Sequence, residues 1–326
     1  MTPNSNLWQQ PPAALAPGGA WEKHSHEAQV LHKAGRYAEA IAAAAQALAV
    51  AEKTPWPDSS FVARSLNDLA ALHATQAQYT LAEPLYRQAL ALREKALGLQ
   101  HPEVAQSLNN LALLCAHAGR YAEAHVLYQR ALAIQEKALP AEHPELANTL
   151  NNLAVLHKTQ GHYAPALALY LRALAIREKA FGPDHPDVAL TLHTLAALQA
   201  TCGKPAEAQV LCQRSLAIRE KAHGPHHPDV AMSLNVLAMV YPAQGRLEEA
   251  EACHERALAI REKACGPNHP DVAQSLHNFA GLRQAQGRSA EAQVLFERAL
   301  TIREMVLGGE HPLAAATRER LKNLRA

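Results

Sequence analysis

The dipeptide His-Pro occurs at 101, 143, 185, 227, 269 and 311, each copy 42 residues after the last. A fixed period of this length is the mark of a chain built by stacking one supersecondary unit, so no single closed core is expected. The unit from His101 to Pro140 holds two amphipathic runs joined at Gly119-Arg120. In the first run, Val104, Leu108, Leu111, Ala112 and Cys115 recur at helical spacing. A second stripe of Gln106, Asn109, Leu113 and Ala116 lies on the other side of the same helix. In the second run, Tyr121, Ala124, Leu127, Tyr128, Ala131 and Leu132 form one apolar face, with Glu123, Arg130, Glu136 and Lys137 facing away. A two-helix unit cannot cover two apolar faces by itself, so neighbouring copies must do it.

Small residues hold fixed places in the repeat. The place of Ala112 is alanine at 28, 70, 154, 196, 238 and 280, and that of Ala124 is alanine at 40, 82, 166, 208, 250 and 292. Such positions let helices approach closely. The place of Gly119 is filled by Gly35, Ala77, Gly161, Gly203, Gly245 and Gly287. Aromatic residues make up only 5% of the chain, in keeping with tight alanine-mediated contacts. The expected fold class is all-α: a solenoid of about seven helix hairpins with a C-terminal capping helix.

The net charge of +1 predicts no general attraction to nucleic acid or to an anionic membrane. No apolar run approaches the ~18 residues that would span a bilayer. The N-terminus has no basic start followed by an apolar stretch, so no secretory signal is expected. Cys115, Cys202, Cys212, Cys253 and Cys265 fall inside helical patterns without paired spacing. They are read as reduced thiols of a cytoplasmic protein.

In chain order, residues 1–19 are expected to form a flexible Pro/Ala-rich tail in which Trp8 is the one feature able to dock. Residues 20–307 are the solenoid, with hairpins at about 20–53, 60–97, 102–139, 144–181, 186–223, 228–265 and 270–307. Residues 308–326 hold the capping helix, from Leu313 to Arg325. Connectors such as Gly182-Pro183-Asp184-His185-Pro186 read as a helix stop followed by a restart. Pro84 should be tolerated with local distortion, while Pro242 should kink or shorten the first helix of the sixth hairpin.

The small and aromatic places at Ala112, Gly119, Tyr121, Ala124, Tyr128 and Ala131 resemble the tetratricopeptide repeat. The 42-residue unit, with its SLNNLA, GRYAEA, RALAIREKALG and HPDVA segments, is similar to the kinesin light chain subclass, over roughly residues 20–312. The resemblance implies a right-handed superhelix whose first helices line a concave groove that takes a peptide or protein segment. In kinesin light chains, polar groove residues hold the backbone of an extended cargo peptide. The coiled coil that joins a light chain to its motor has no counterpart in this sequence, and motor transport is not expected.

Three rows run down the first helices. At the place of Asn109 stand Asn67, Asn151, His193, Asn235 and His277; at that of Asn110 stand Asp68, Asn152, Thr194, Val236 and Asn278; at that of Gln106 stand Arg64, Asn148, Leu190, Met232 and Gln274. An asparagine offers both donor and acceptor, which suits the N–H and C=O of an extended peptide. The expected partner-binding set is therefore Arg64, Asn67, Asn109, Asn110, Asn148, Asn151, Asn152, Lys158, His193, Asn235 and His277. The competing reading is that these amides bond neighbouring helices and fix repeat geometry. Hairpins two to four are polar along these rows, whereas five and six carry Leu190, Met232, Val236 and Met239. A guest would then set polar backbone on the first half and an apolar side chain on the second, and few basic residues invite an acidic one.

The 19 histidines do not suggest a metal, because the His-Pro copies lie a whole repeat apart and ligation needs donors converging on one ion. Cys212 and His254 stand where Tyr86, Tyr128, Tyr170 and Phe296 stand, and are expected to fill core. Arg-Glu-Lys segments such as Arg177-Glu178-Lys179 are expected to be solvated helix ends. No phosphate-cradling glycine loop, nucleophile elbow or isolated carboxylate pair is present, so neither catalysis nor a cofactor is expected. The resulting reading is a non-catalytic scaffold that binds a protein or extended peptide, with a monomer as the favoured state. The alternative is a structural solenoid that stacks on copies of itself without a peptide ligand.

Overall fold

The structure is a computed structural model that describes residues 18–53 and 59–325. Trp8, most of the N-terminal tail and the Thr54-to-Asp58 connector lie outside the described residues. Seven hairpins are formed by α1 (Gly18–Lys33) and α2 (Tyr37–Lys53), α3 (Ser59–Thr75) and α4 (Tyr79–Leu97), α5 (Pro102–His117) and α6 (Tyr121–Ala138), α7 (Pro144–Thr159) and α8 (Tyr163–Phe181), α9 (Pro186–Thr201) and α10 (Pro205–His223), α11 (Pro228–Val240) and α12 (Leu247–Cys265), and α13 (Pro270–Ala285) and α14 (Ser289–Leu307). A last helix, α15 (Pro312–Arg325), follows, and the described residues include no strand. The chain divides into two compact units, Met1–Ala141 and Glu142–Ala326.

Each His-Pro pair starts a first helix by a specific device. Extended backbone at His101 sets its ring so that Nδ1 accepts the N–H of Glu103 at 3.2 Å, while Pro102 occupies the first helical position. The same cap forms at His143, His185, His227, His269 and His311, at 3.1–3.3 Å. An imidazole thus does what serine or aspartate does elsewhere, satisfying one orphan N–H, and proline removes another.

The turn inside each hairpin needs a left-handed residue. Gly119 has φ 78° and its counterparts lie between 72° and 78°, but in the second hairpin Ala77 takes this role at φ 55°. No heavy atom lies within 4 Å of where a Cβ would sit on Gly119, so the demand there is for backbone conformation alone. In the sixth hairpin α11 is 13 residues long where α9 has 16, and a 3-10 turn over Tyr241–Gln244 carries Pro242. Pro84 sits inside an unbroken α4.

In the first unit, Ala28, Ala40, Ala43 and Ala44 pack with Leu69 and Leu72. Trp21 is buried with its edge on Phe61 at 4.8 Å, and its indole N–H donates to Ser65 Oγ at 2.8 Å. In the second unit, Ala154, Ala166 and Tyr170 meet Leu195 and Leu198, and Ala196, Ala208 and Cys212 meet Val236 and Leu237 of the following hairpin. Cys212 and His254 are buried in the aromatic place, His254 stacking on Phe279 at 5.5 Å. Each fully buried Tyr or Leu here contributes about 1.5–3 kcal/mol of apolar burial, shared between its own hairpin and the next copy.

The Arg-Glu-Lys segments are not solvated throughout, which corrects the sequence expectation. Arg93, Arg177, Arg219, Arg261 and Arg303 are all at most 6% exposed. Each donates from Nη1 to the backbone carbonyl ten residues on and to a Ser or Thr hydroxyl fourteen residues on: Ser107, Thr191, Ser233, Ser275 and Thr317. The arginine therefore joins a second helix to the first turns of the next first helix. The glutamate beside it ties consecutive second helices, as in Glu178–Arg214 at 2.7 Å, Glu220–Arg256 at 2.5 Å and Glu262–Arg298 at 2.6 Å. The lysine is exposed, as at Lys179.

Candidate functional site

The three polar rows lie where the helical period puts them, on the side of each first helix away from its apolar stripe. Their depth differs. Asn67, Asn110 and Asn235 are buried, whereas Asn109, Asn148, Asn151, Asn152, Lys158, His193 and His277 are half-buried.

In the first unit, Asn110 Nδ2 donates to Asn67 Oδ1 at 2.7 Å, linking α5 to α3. Arg64 lies 4.0 Å from the Asp68 carboxylate, and its guanidinium covers the Trp21 ring at 5.4 Å. Burial pushes the Asp68 carboxyl up to about 7 against the opposing pull of Arg64, Asn67 and Arg93. Arg93 adds a 3.4 Å ion pair to Glu103. Asn109 is not free either.

In the second unit, Asn148 Oδ1 accepts from Arg177 Nη2 at 2.6 Å and Asn151 Oδ1 accepts from Thr194 Oγ1 at 3.0 Å. Asn152 also has a partner. The His277 ring nitrogen Nδ1 is within bonding distance of Arg303 Nη1 at 3.3 Å and Thr317 Oγ1 at 3.2 Å. Asn235 Nδ2 donates to Ser275 Oγ at 3.3 Å, but Asn235 Oδ1 and His193 Nδ1 are buried without a partner. Lys158 makes no ion pair among the described residues, and burial lowers its ammonium pKa.

The predicted residues thus do two jobs. Asn67, Asn110, Asn148 and Asn151 spend hydrogen bonds on adjoining helices, each worth about 1 kcal/mol net. The linking rule is positional: Asn67 to Asn110 and Asn151 to Thr194 are both steps of 43 residues. That step takes His193 to Val236, which has no polar atom, so the bond is not made and the ring nitrogen is left over. The buried arginine ladder behind this face was missed by sequence reasoning. Its signal was present: arginine at 93, 177, 219, 261 and 303 in a 42-residue register that only Gln135 interrupts, with Ser or Thr always fourteen residues later. Among the described residues, no group of three or more His, Cys, Asp or Glu side chains could hold a metal ion.

Comparison with known proteins places this geometry. The tetratricopeptide repeat family matches residues 23–95, 61–137, 103–179, 145–209, 187–263, 232–305 and 271–325. No curated protein matches the chain. Among solved structures, BtubC (BKLC) from P. vanneervenii is 30% identical, covering 69% of this chain and 91% of its own, with a TM-score of 0.59. A putative kinesin light chain from Podospora anserina with nearly identical repeats is 32% identical, over 63% of this chain and 97% of its own, at a TM-score of 0.52. The Rap conjugation gene regulator of plasmid pLS20, solved in complex with the Phr* peptide, shares the fold at 16% identity, covering 90% of this chain and 76% of its own, with a TM-score of 0.66.

Proposed function

Because the chain belongs to the tetratricopeptide repeat family, in its kinesin light chain-like subclass, we propose that it is a non-catalytic protein–protein interaction scaffold that holds an extended segment of a partner against its first helices. The observation that carries this reading is the leftover polar chemistry on the first-helix face of the second unit. Lys158 is half-buried without a counter-charge, and the buried atoms His193 Nδ1 and Asn235 Oδ1 lack partners. A buried donor or acceptor with no partner costs about 1–3 kcal/mol. A face whose sole task was to hold repeats together would close these bonds, as the Asn67–Asn110 pair does in the first unit. A guest backbone supplies both an N–H for Asn235 Oδ1 and a C=O for Lys158. Asn151 and Asn152 take part at the edges of this surface, and Arg64, Asn67, Asn109 and Asn110 set the shape of the corresponding face in the first unit.

The protein works as a cytoplasmic monomer on this reading. No described helix is long and apolar enough to cross a membrane. The test begins with peptides selected from a random library on the intact chain, whose Kd is then measured by calorimetry. Lys158→Ala and Asn151→Ala should each weaken binding about tenfold while the far-UV melting curve keeps its shape. Failure to enrich any peptide, or unchanged affinity in both variants, removes the proposal.

A further inference from the structure

Of the five arginines that join a second helix to the next first helix, four lie in the second unit, and they differ in what their outer nitrogen meets. Arg177 Nη2 donates to Asn148 Oδ1 at 2.6 Å and Arg303 Nη2 donates to Gln274 Oε1 at 2.9 Å. Each acceptor sits 29 residues before its arginine. The same step back from Arg219 and Arg261 leads to Leu190 and Met232, which bring no oxygen. Both arginines bond through Nη1 alone, to Asp229 O and Ser233 Oγ and to Asp271 O and Ser275 Oγ. The Nε of Arg261 is buried without a partner. Neither guanidinium has a carboxylate within ion-pair distance: Asp229 lies beside His223 and His227, and Asp271 beside His269.

His193 sits 26 residues before Arg219, the spacing that places His277 beside Arg303. Its Nδ1 has no partner, whereas that of His277 does. Burial first, and then the fields of Arg219, Lys158 and Arg261, depress the His193 imidazole to about 3, and no acid is among the groups acting on it. Asp229 and Asp271 act on Arg219 and Arg261 from beyond ion-pair distance, and α7, α10 and α12 each bring a cation without an ion pair to the surroundings of one ring on α9.

We infer that Arg219, Arg261, Lys158 and His193 form a binding site for a phosphoryl dianion, in which guest oxygens take the place that Asn148 and Gln274 oxygens fill in the neighbouring hairpins. The inference deepens the reading of this face as a binding surface and rests on it. A dianion fits better than a single carboxylate because more than one cation is unpaired, and guanidinium donors match the oxygen geometry of a phosphate.

The experiment uses the full chain and inorganic phosphate. Imidazole NMR follows His193 during titration at constant ionic strength, with sodium chloride and sodium acetate as parallel arms. Phosphate should shift the His193 signals saturably, with acetate at least tenfold weaker and chloride silent. The double variant Leu190→Asn, Met232→Gln supplies each arginine with the amide used in hairpins four and seven, so the fold is kept and the phosphate affinity should fall at least tenfold. A shift that does not saturate, acetate equal to phosphate, or equal affinity in the double variant overturns the site. Selected peptides that bind while phosphate does not would remove this site alone. Phosphate binding without any peptide ligand would remove the partner-segment reading and leave the site.

Discussion

Asp68 stands in the place of Asn110, and the structure makes it a burden that the neutral amide would lift. Its carboxyl is buried between Arg64, Asn67 and Arg93, and burial outweighs these partners to hold it at about 7 against an ordinary 3.8. A folded state with the higher pKa keeps the proton more tightly than the unfolded chain. Stability from this group is therefore complete below pH ~4 and is lost as pH rises through 7. At ~1.4 kcal/mol per pH unit, the interval sets a ceiling of about 4 kcal/mol on the loss by pH 8. Asp68→Asn removes the titrating proton while keeping shape, at the cost of the long 4.0 Å contact to Arg64. Repeat arrays unfold in parts, so the readout must be local. Hydrogen exchange of α3 and α5 amides, corrected for intrinsic rates, should show wild-type protection falling between pH 5 and pH 8 and a nearly flat profile in Asp68→Asn. At pH 8 the variant should be the more protected by roughly 1–4 kcal/mol. Parallel profiles, or a variant less protected at pH 8, would refute the assignment of burial as the dominant effect.

Other consequences are simpler to read. Ala77→Gly should stabilise the second hairpin by roughly 0.5–1 kcal/mol, because the left-handed backbone penalises a Cβ by more than the glycine adds in unfolded-state entropy; local exchange in α3 and α4 checks it. Arg177→Ala leaves Asn148, Thr191 and the Asp187 carbonyl without their donor and should cost about 3–5 kcal/mol, seen as an early transition in the circular-dichroism melt. His185→Ala should cost about 1 kcal/mol through loss of its cap on Asp187 N–H, and His185→Asp should recover most of it in denaturant titration.

Periodicity made the architecture readable because a solenoid repeats its local rules. The small residues at Ala112 and Ala124 appear at every copy, the His-Pro start at each first helix from α5 on, and the Gly119 turn at every copy but the second, where Ala77 takes it; each has one structural cause. Pro242 was legible for the same reason, since a ring that cannot donate shortens α11 where α9 continues. The candidate site was harder. Helical spacing puts Asn67 and Asn110 on the inner rows, but whether an amide faces a guest or a neighbour depends on the 43-residue step between helices, which the 42-residue repeat hides. The arginine ladder was misread because Arg beside Glu and Lys looks like a solvated end. What buries Arg177 is the next hairpin, and the clue lay fourteen residues away at Thr191.

The most direct measurement of the central claim is site-specific photo-crosslinking with a selected peptide. Met239, on the first helix α11, is 64% exposed, and Val210, on the second helix α10, is 66% exposed, so solvent access is matched. A photoreactive residue at 239 should capture the peptide and one at 210 should not. Equal capture at both positions, or capture at 210 alone, would contradict binding along the first helices.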